Sequence, residues 1–204
     1  MKIRPLLLSC LIAVALPACE KIDKAAEEQA EQAAVEIQPI PSEKYDQDGL
    51  IFEYPTGWSV IDDSEQDDVR YVFIESPEGA VSVIQVYPIN EAPTLDQFAT
   101  SYSEQTQVVP TLADGEEVDP STQPVIAQPE LMSITRDLDG KSYEWIVESV
   151  PGQIAGIETS DYREYFRKDS ENHTAFLINQ VNNDILTANE GSFELIFKTL
   201  TPMP

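Results

Sequence analysis

The stretch LMSITRDLDGKSYEWIVESV, residues 131–150, decides the fold class of this 204-residue chain. Two runs rich in β-branched and aromatic residues, Leu131–Leu138 and Lys141–Val150, flank Asp139-Gly140, a pair that suits the positive φ values of a two-residue hairpin turn. Alternation along the second run places Tyr143 and Trp145 on one face and Glu144 and Ile146 on the other. Downstream, Asp161–Lys168 and His173–Val181 form a further strand pair, preceded by a glycine-containing loop at Pro151–Ser160. Upstream, Val69–Glu75 and Ala80–Tyr87 flank the turn Ser76-Pro77-Glu78-Gly79, and Leu50–Tyr54 and Trp58–Ile61 flank Pro55-Thr56-Gly57, giving two more hairpins.

Two helices accompany the strands. Thr94-Leu95-Asp96-Gln97 matches a capping box and opens a helix to about Gln105, with Leu95, Phe98, Ala99 and Tyr102 on one face. Thr187 to Glu190 offers a second box, and Phe193, Ile196, Phe197 and Leu200 mark the packed face of a closing helix that Pro202 limits. Between them, Val109–Pro129 holds Pro110, Pro120, Pro124 and Pro129 and reads as an irregular excursion. Hairpins with a helix after the fourth strand and another at the end predict an α+β fold, an antiparallel sheet built from hairpins and covered by helices.

Phe52-Glu53-Tyr54-Pro55-Thr56-Gly57-Trp58 resembles the opening hairpin of the PsbP-like fold, shared by PsbP, DcrB-type bacterial lipoproteins and Mog-type Ran-binding proteins. The resemblance covers about Gly49 to Thr201. It implies an assembly or accessory role with no family-wide catalytic residue. The same residues also have a purely structural reading, in which Pro55 and Gly57 shape a turn and Phe52 and Trp58 fill the core beside it.

The N-terminus supplies an address. Lys2 and Arg4, an apolar run from Leu6 to Ala18 and then Leu16-Pro17-Ala18-Cys19 have the form of a bacterial lipoprotein signal, too short for a spanning helix. Residues 1–18 are expected to be removed, leaving Cys19 acylated, and more than one chain makes such an anchor stable. Residues 19–48 read as a linker: Glu20 to Glu36 favours a helix of Ala, Glu, Gln and Lys, ended by Pro39 and Pro41. Residues 49–204 read as the folded domain.

With 37 acidic and 12 basic residues, the net charge is −25, so nucleic acid is excluded as a partner and anionic head groups repel the domain. The membrane is met only through the lipid on Cys19. Once residues 1–18 are removed no second cysteine remains, so neither an intramolecular disulfide nor a thiolate metal site is expected. The expected place is the cell envelope, facing the periplasm, with the outer membrane favoured over the inner and a monomeric state.

Chemistry has few candidates. His173 is the chain's one histidine and opens a strand after a polar turn, which reads as structural. No Gly-x-Ser-x-Gly elbow, phosphate-cradling loop or His-Glu-x-x-His helix is present. Asp62-Asp63-Ser64-Glu65-Gln66-Asp67-Asp68 gathers acids in a connector, and Asp62, Asp63, Asp67 and Asp68 are the candidate weak cation site, although they lack the spacing and glycine of an EF-hand. Tyr143, Trp145, Tyr162, Tyr165 and Phe166 form either a core face or an aromatic strip for a protein or glycan. These readings lead to a non-catalytic, cofactor-free binding or assembly-accessory domain with an envelope protein as partner. A ligand- or divalent-cation-binding module is the alternative, and a carboxylate-dependent hydrolase stands third.

Overall fold

The computed structural model describes residues 39–106, 130–154 and 157–204. Cys19, the helical part of the linker and the Val109–Pro129 excursion lie outside the described residues. Nine strands are described: β1 (Ser42–Gln47), β2 (Leu50–Pro55), β3 (Ser59–Gln66), β4 (Val69–Glu75), β5 (Val81–Pro88), β6 (Met132–Leu138), β7 (Lys141–Ile154), β8 (Ile157–Asp169) and β9 (His173–Asn182). The helices are α1 (Leu95–Thr106) and α2 (Leu186–Thr199). β3 to β9 form one antiparallel sheet in the order β3-β4-β5-β9-β8-β7-β6, and β1 pairs with β2 in a separate two-stranded sheet. The class is α+β, built from antiparallel hairpins.

Both faces of the large sheet are covered, which explains why β9 reads as a nearly unbroken apolar run. Phe176 and Ile178 point to the face under α1, where they join Leu95, Phe98, Ala99, Val83, Ile146 and Tyr165. Ala175, Leu177 and Val181 point to the other, where Phe193, Ile196 and Phe197 of α2 and Leu200 just after it pack with Trp145, Phe166, Ile74 and Ile84. The β1–β2 hairpin completes that second layer with Tyr45, Leu50 and Phe52. The Thr94 capping box forms as expected: the Thr94 N–H donates to Gln97 Oε1 at 3.0 Å and the Gln97 N–H to Thr94 Oγ1 at 3.3 Å.

The structure corrects the sequence in five places. Leu50–Pro55 does not pair with the strand after Trp58; it pairs with Ser42–Gln47, assigned above to the linker, so the fold starts before Gly49. The reason is turn handedness. Asp48 and Gly49 adopt φ of 48° and 85°, the geometry that matches strand twist, whereas the Pro55–Trp58 turn has a single positive φ of 97°, at Gly57, and hands the chain to the other sheet. The acidic connector is likewise a strand: β3 pairs with β4 through a two-residue turn at Asp67 and Asp68, with φ of 51° and 63°. Aspartate tolerates that region better than most side chains.

The Pro151–Ser160 loop is instead largely strand, because β7 and β8 continue their pairing to Ile154↔Ile157. Finally, α2 has no Thr187–Glu190 capping box. A short 3₁₀ turn, Asn183–Ile185, capped by Asn182 accepting from the Asp184 N–H at 3.0 Å, runs directly into the helix, leaving Thr187 inside it.

Candidate functional site

The sheet buries charge on both faces, and each cluster arises from a charged residue at an inward strand position. On the α1 face, β7 and β8 set Glu148 directly opposite Arg163. The Arg163 guanidinium donates to Glu148 Oε1 at 2.7 Å, to Thr106 Oγ1 at 2.9 Å and to Gln180 Oε1 at 2.9 Å, while Ser103 donates to Glu148 Oε2 at 2.8 Å. Tyr165 also donates to Glu148. Burial drives the Tyr165 pKa far up, with the Glu148 hydrogen bond adding to it, so this hydroxyl stays protonated. Every member has partners within the fold, which marks a locked element holding α1 on the sheet.

The α2 face carries a second cluster that borders a cavity of about 330 Å³. Arg136 of β6 donates to Tyr162 at 2.7 Å and meets Glu164 at 2.7 Å, and the Tyr162 hydroxyl donates to Glu164 at 3.0 Å. The other Glu164 oxygen accepts from Asn179 at 2.8 Å, and Asn179 in turn accepts from Ser82 at 2.7 Å. Burial opposes the Arg136 charge, but Glu164 and Tyr162 more than offset that and raise its pKa. Burial and the Glu164 carboxylate push the Tyr162 pKa well up. Both groups therefore stay protonated across the physiological range.

The apolar part of the same cavity is built from Leu138, Trp145, Leu186, Phe193 and Phe197, with Glu190 and Glu194 from α2 also lining it. The Arg136 guanidinium lies over the Trp145 ring, 4.7 Å from its centroid. Trp145 is 2% exposed, and its indole N–H is a buried donor with no partner among the described residues. Such a donor costs about 1–3 kcal/mol when left unmet. It is the one such side-chain atom among the described residues.

A wider cleft of about 550 Å³ lies beside β3, lined by Asp48, Asp63, Glu65, Asp68, Arg70 and His173 among others. Asp63, from the predicted cation site, accepts from Arg70 twice at 3.0 Å and from Tyr45. Its hydrogen bonds from Arg70 hold its pKa below the ordinary value, while burial and Asp63 push Tyr45 up to about 12. Asp67 and Asp68 form the turn, and among the described residues no group of three or more His, Cys, Asp or Glu side chains is arranged to hold a metal ion. The four aspartates thus do not form one ligand shell. His173 sits on β9, lining this cleft, with Nδ1 3.0 Å from the Pro204 oxygen.

Asp63 yields a testable pH dependence. A carboxylate whose folded pKa is depressed contributes stability that is fully present above its unfolded value of 3.8 and is lost as pH falls through the lower folded value. Asp63→Asn is expected to cost about 1–2 kcal/mol at neutral pH, since Arg70 loses a charged acceptor. In denaturant titrations the difference from the native chain should hold between about pH 7 and 5 and close below 3.8. A difference independent of pH would mean that the Asp63–Arg70 pair does not form.

The other predicted residues are placed as follows. Phe52 and Trp58 are buried, Trp58 standing edge-on to Phe193 at 5.9 Å, and Pro55 and Gly57 form the turn between the two sheets. Tyr143, Trp145, Tyr162 and Phe166 belong to the α2-side core and Tyr165 to the α1-side core, so the aromatic strip is core. The sequence did not reveal the Arg136–Tyr162–Glu164 cluster. Its signal was present: Glu164 has the same strand parity as Phe166, and a charge at a core position requires a partner.

No protein-family model matches the chain, and no curated protein of similar sequence is found. Among solved structures, the chain is similar to PsbP (CyanoP) of the cyanobacterium Synechocystis, at 15% identity and a TM-score of 0.46, over 83% of this chain and 97% of that one. It is also similar to LpqN of Mycobacterium tuberculosis, a protein involved in cell envelope biogenesis, at 11% identity and a TM-score of 0.42, over 83% of this chain and 88% of that one.

Proposed function

We propose that this chain is a lipid-anchored envelope protein facing the periplasm, whose domain is a non-catalytic binding or assembly-accessory module that holds its partner at the cavity beneath α2. The observation that carries the reading is the make-up of that cavity. An apolar wall of Leu138, Trp145, Phe193 and Phe197 meets a polar cluster whose arginine and tyrosine are tied to one carboxylate and held protonated. Proton transfer at neutral pH needs a group poised near that pH, whereas Arg136 and Tyr162 are both shifted away from it. Groups fixed in one charge state around an apolar wall serve recognition.

A photo-cross-linking side chain at Glu190, beside the cavity, is expected to give a discrete adduct in native membranes. The same probe at Asp96 on α1, which packs on the opposite sheet face, is the control. Equal labelling from both positions, or from neither, would refute the assignment of the cavity. The tether is tested separately. Cys19→Ser is expected to leave an unprocessed chain or one released from the membrane fraction. Unchanged membrane partitioning after complete signal removal would refute lipidation.

A further inference from the structure

We propose that the cavity beneath α2 takes a short peptide segment of a partner protein in which an apolar side chain is flanked by lysine or arginine. This rests on the binding reading above and names its ligand. Three features point to that chemistry. The wall of Leu138, Trp145, Phe193 and Phe197 encloses about 330 Å³, a space on the scale of a few side chains, and rewards apolar burial. The Trp145 N–H, buried and unpartnered, asks for an oxygen acceptor, which every peptide carbonyl carries.

The third feature is charge. Arg136, the cationic lining residue, is already matched by Glu164 at 2.7 Å, whereas Glu190 is exposed and Glu194 is 43% exposed with Lys198 at 2.6 Å. The lining is therefore acidic in balance, and the chain's net charge of −25 adds an attractive field for a basic segment and repels an anionic one. The indole N–H is shielded from solvent, so the incoming carbonyl reaches it only when a neighbour yields. A neutral amphiphile would satisfy the wall and the N–H but offer no charge to Glu190.

The test uses the full chain in nanodiscs, titrated with the blocked tetrapeptide acetyl-Lys-Leu-Leu-Lys-amide, its glutamate-flanked counterpart and monolauroylglycerol. Binding is followed by calorimetry on the native chain and by the emission of Trp145 in a Trp58→Phe background, where it is the sole tryptophan. The lysine peptide is expected to bind and to shift Trp145 emission, and Glu190→Lys with Glu194→Lys should weaken it by about tenfold. Equal binding of the glutamate peptide would overturn the charge assignment, and a response to monolauroylglycerol alone would overturn the peptide class. Failure of the lysine peptide while the Glu190 cross-link persists would overturn this ligand and leave the binding reading intact. Loss of both would overturn the two together.

Discussion

Glu148→Ala is expected to destabilise the domain by about 3–5 kcal/mol, the cost typical of removing one partner of a buried ion pair and stranding the other. The Glu148 side chain is 0% and the Arg163 side chain 4% exposed, so the uncompensated guanidinium has no route to water short of lifting α1. Ser103 and Tyr165 would lose their acceptor at the same time, adding unsatisfied hydroxyls beneath the helix. The readout is the denaturant midpoint at an unchanged slope. Replacing both partners with methionine, which removes the charges together while filling similar volume, is expected to recover the part of the loss due to the stranded charge, with Ser103 and Tyr165 still lacking their acceptor. A cost below about 1 kcal/mol for Glu148→Ala would show that the pair is open to solvent.

Phe52→Ala carries the second large effect, about 3–5 kcal/mol, because a fully buried ring is lost from a site with little freedom to collapse. Phe52 stacks on Tyr45 at 4.6 Å and tilts against Tyr54 at 6.1 Å, while the strand around it is pinned by paired hydrogen bonds between Ile51 and Thr201 at 2.7 and 3.0 Å. Those bonds fix the backbone before the ring, and the Glu53 N–H, donating to Thr199 Oγ1 at 2.8 Å, fixes it after. Deleting Ser42–Gln47 in the native chain should approach the same loss, since Tyr45 leaves with the strand. If that deletion left the unfolding midpoint unchanged, residues 42–47 would belong to the linker after all.

The contrast between these two sites shows what the sequence made legible. The hairpins at Val69–Tyr87 and Leu131–Val150 were readable because each turn carries its own signal, Ser76–Gly79 and Asp139-Gly140, between strands that have no competing neighbour. The faces of α1 and α2 were readable because Phe98, Phe193 and Phe197 repeat at helical spacing. Leu50–Pro55 was different. It stands between two turn-competent segments, and although Asp48-Gly49 carries the same signal as Asp139-Gly140, the arm before it, Ser42–Gln47, buries only Tyr45 and shows no apolar alternation.

The cavity was the least legible part. Arg136, Tyr162, Glu164 and Asn179 come from β6, β8 and β9, and their meeting depends on a strand order in which β9 sits inside the sheet. No local pattern encodes that order. What the sequence did show was parity: Glu148 shares its face with Ile146, and Glu164 with Phe166. Each inward charge announced a buried partner without naming it.

Among the described residues β3 pairs with β4 alone, so its outer rim carries amides and carbonyls without a partner strand. Asp62, Asp63 and Glu65 lie along that rim, and a bulge between Val60 and Asp62 bends it. If two copies joined rim to rim at a strand spacing of about 4.8 Å, Asp62 would crowd like charge on one face and Asp63 and Glu65 on the other. The acids that looked like an ion trap thus act as a stop on sheet growth.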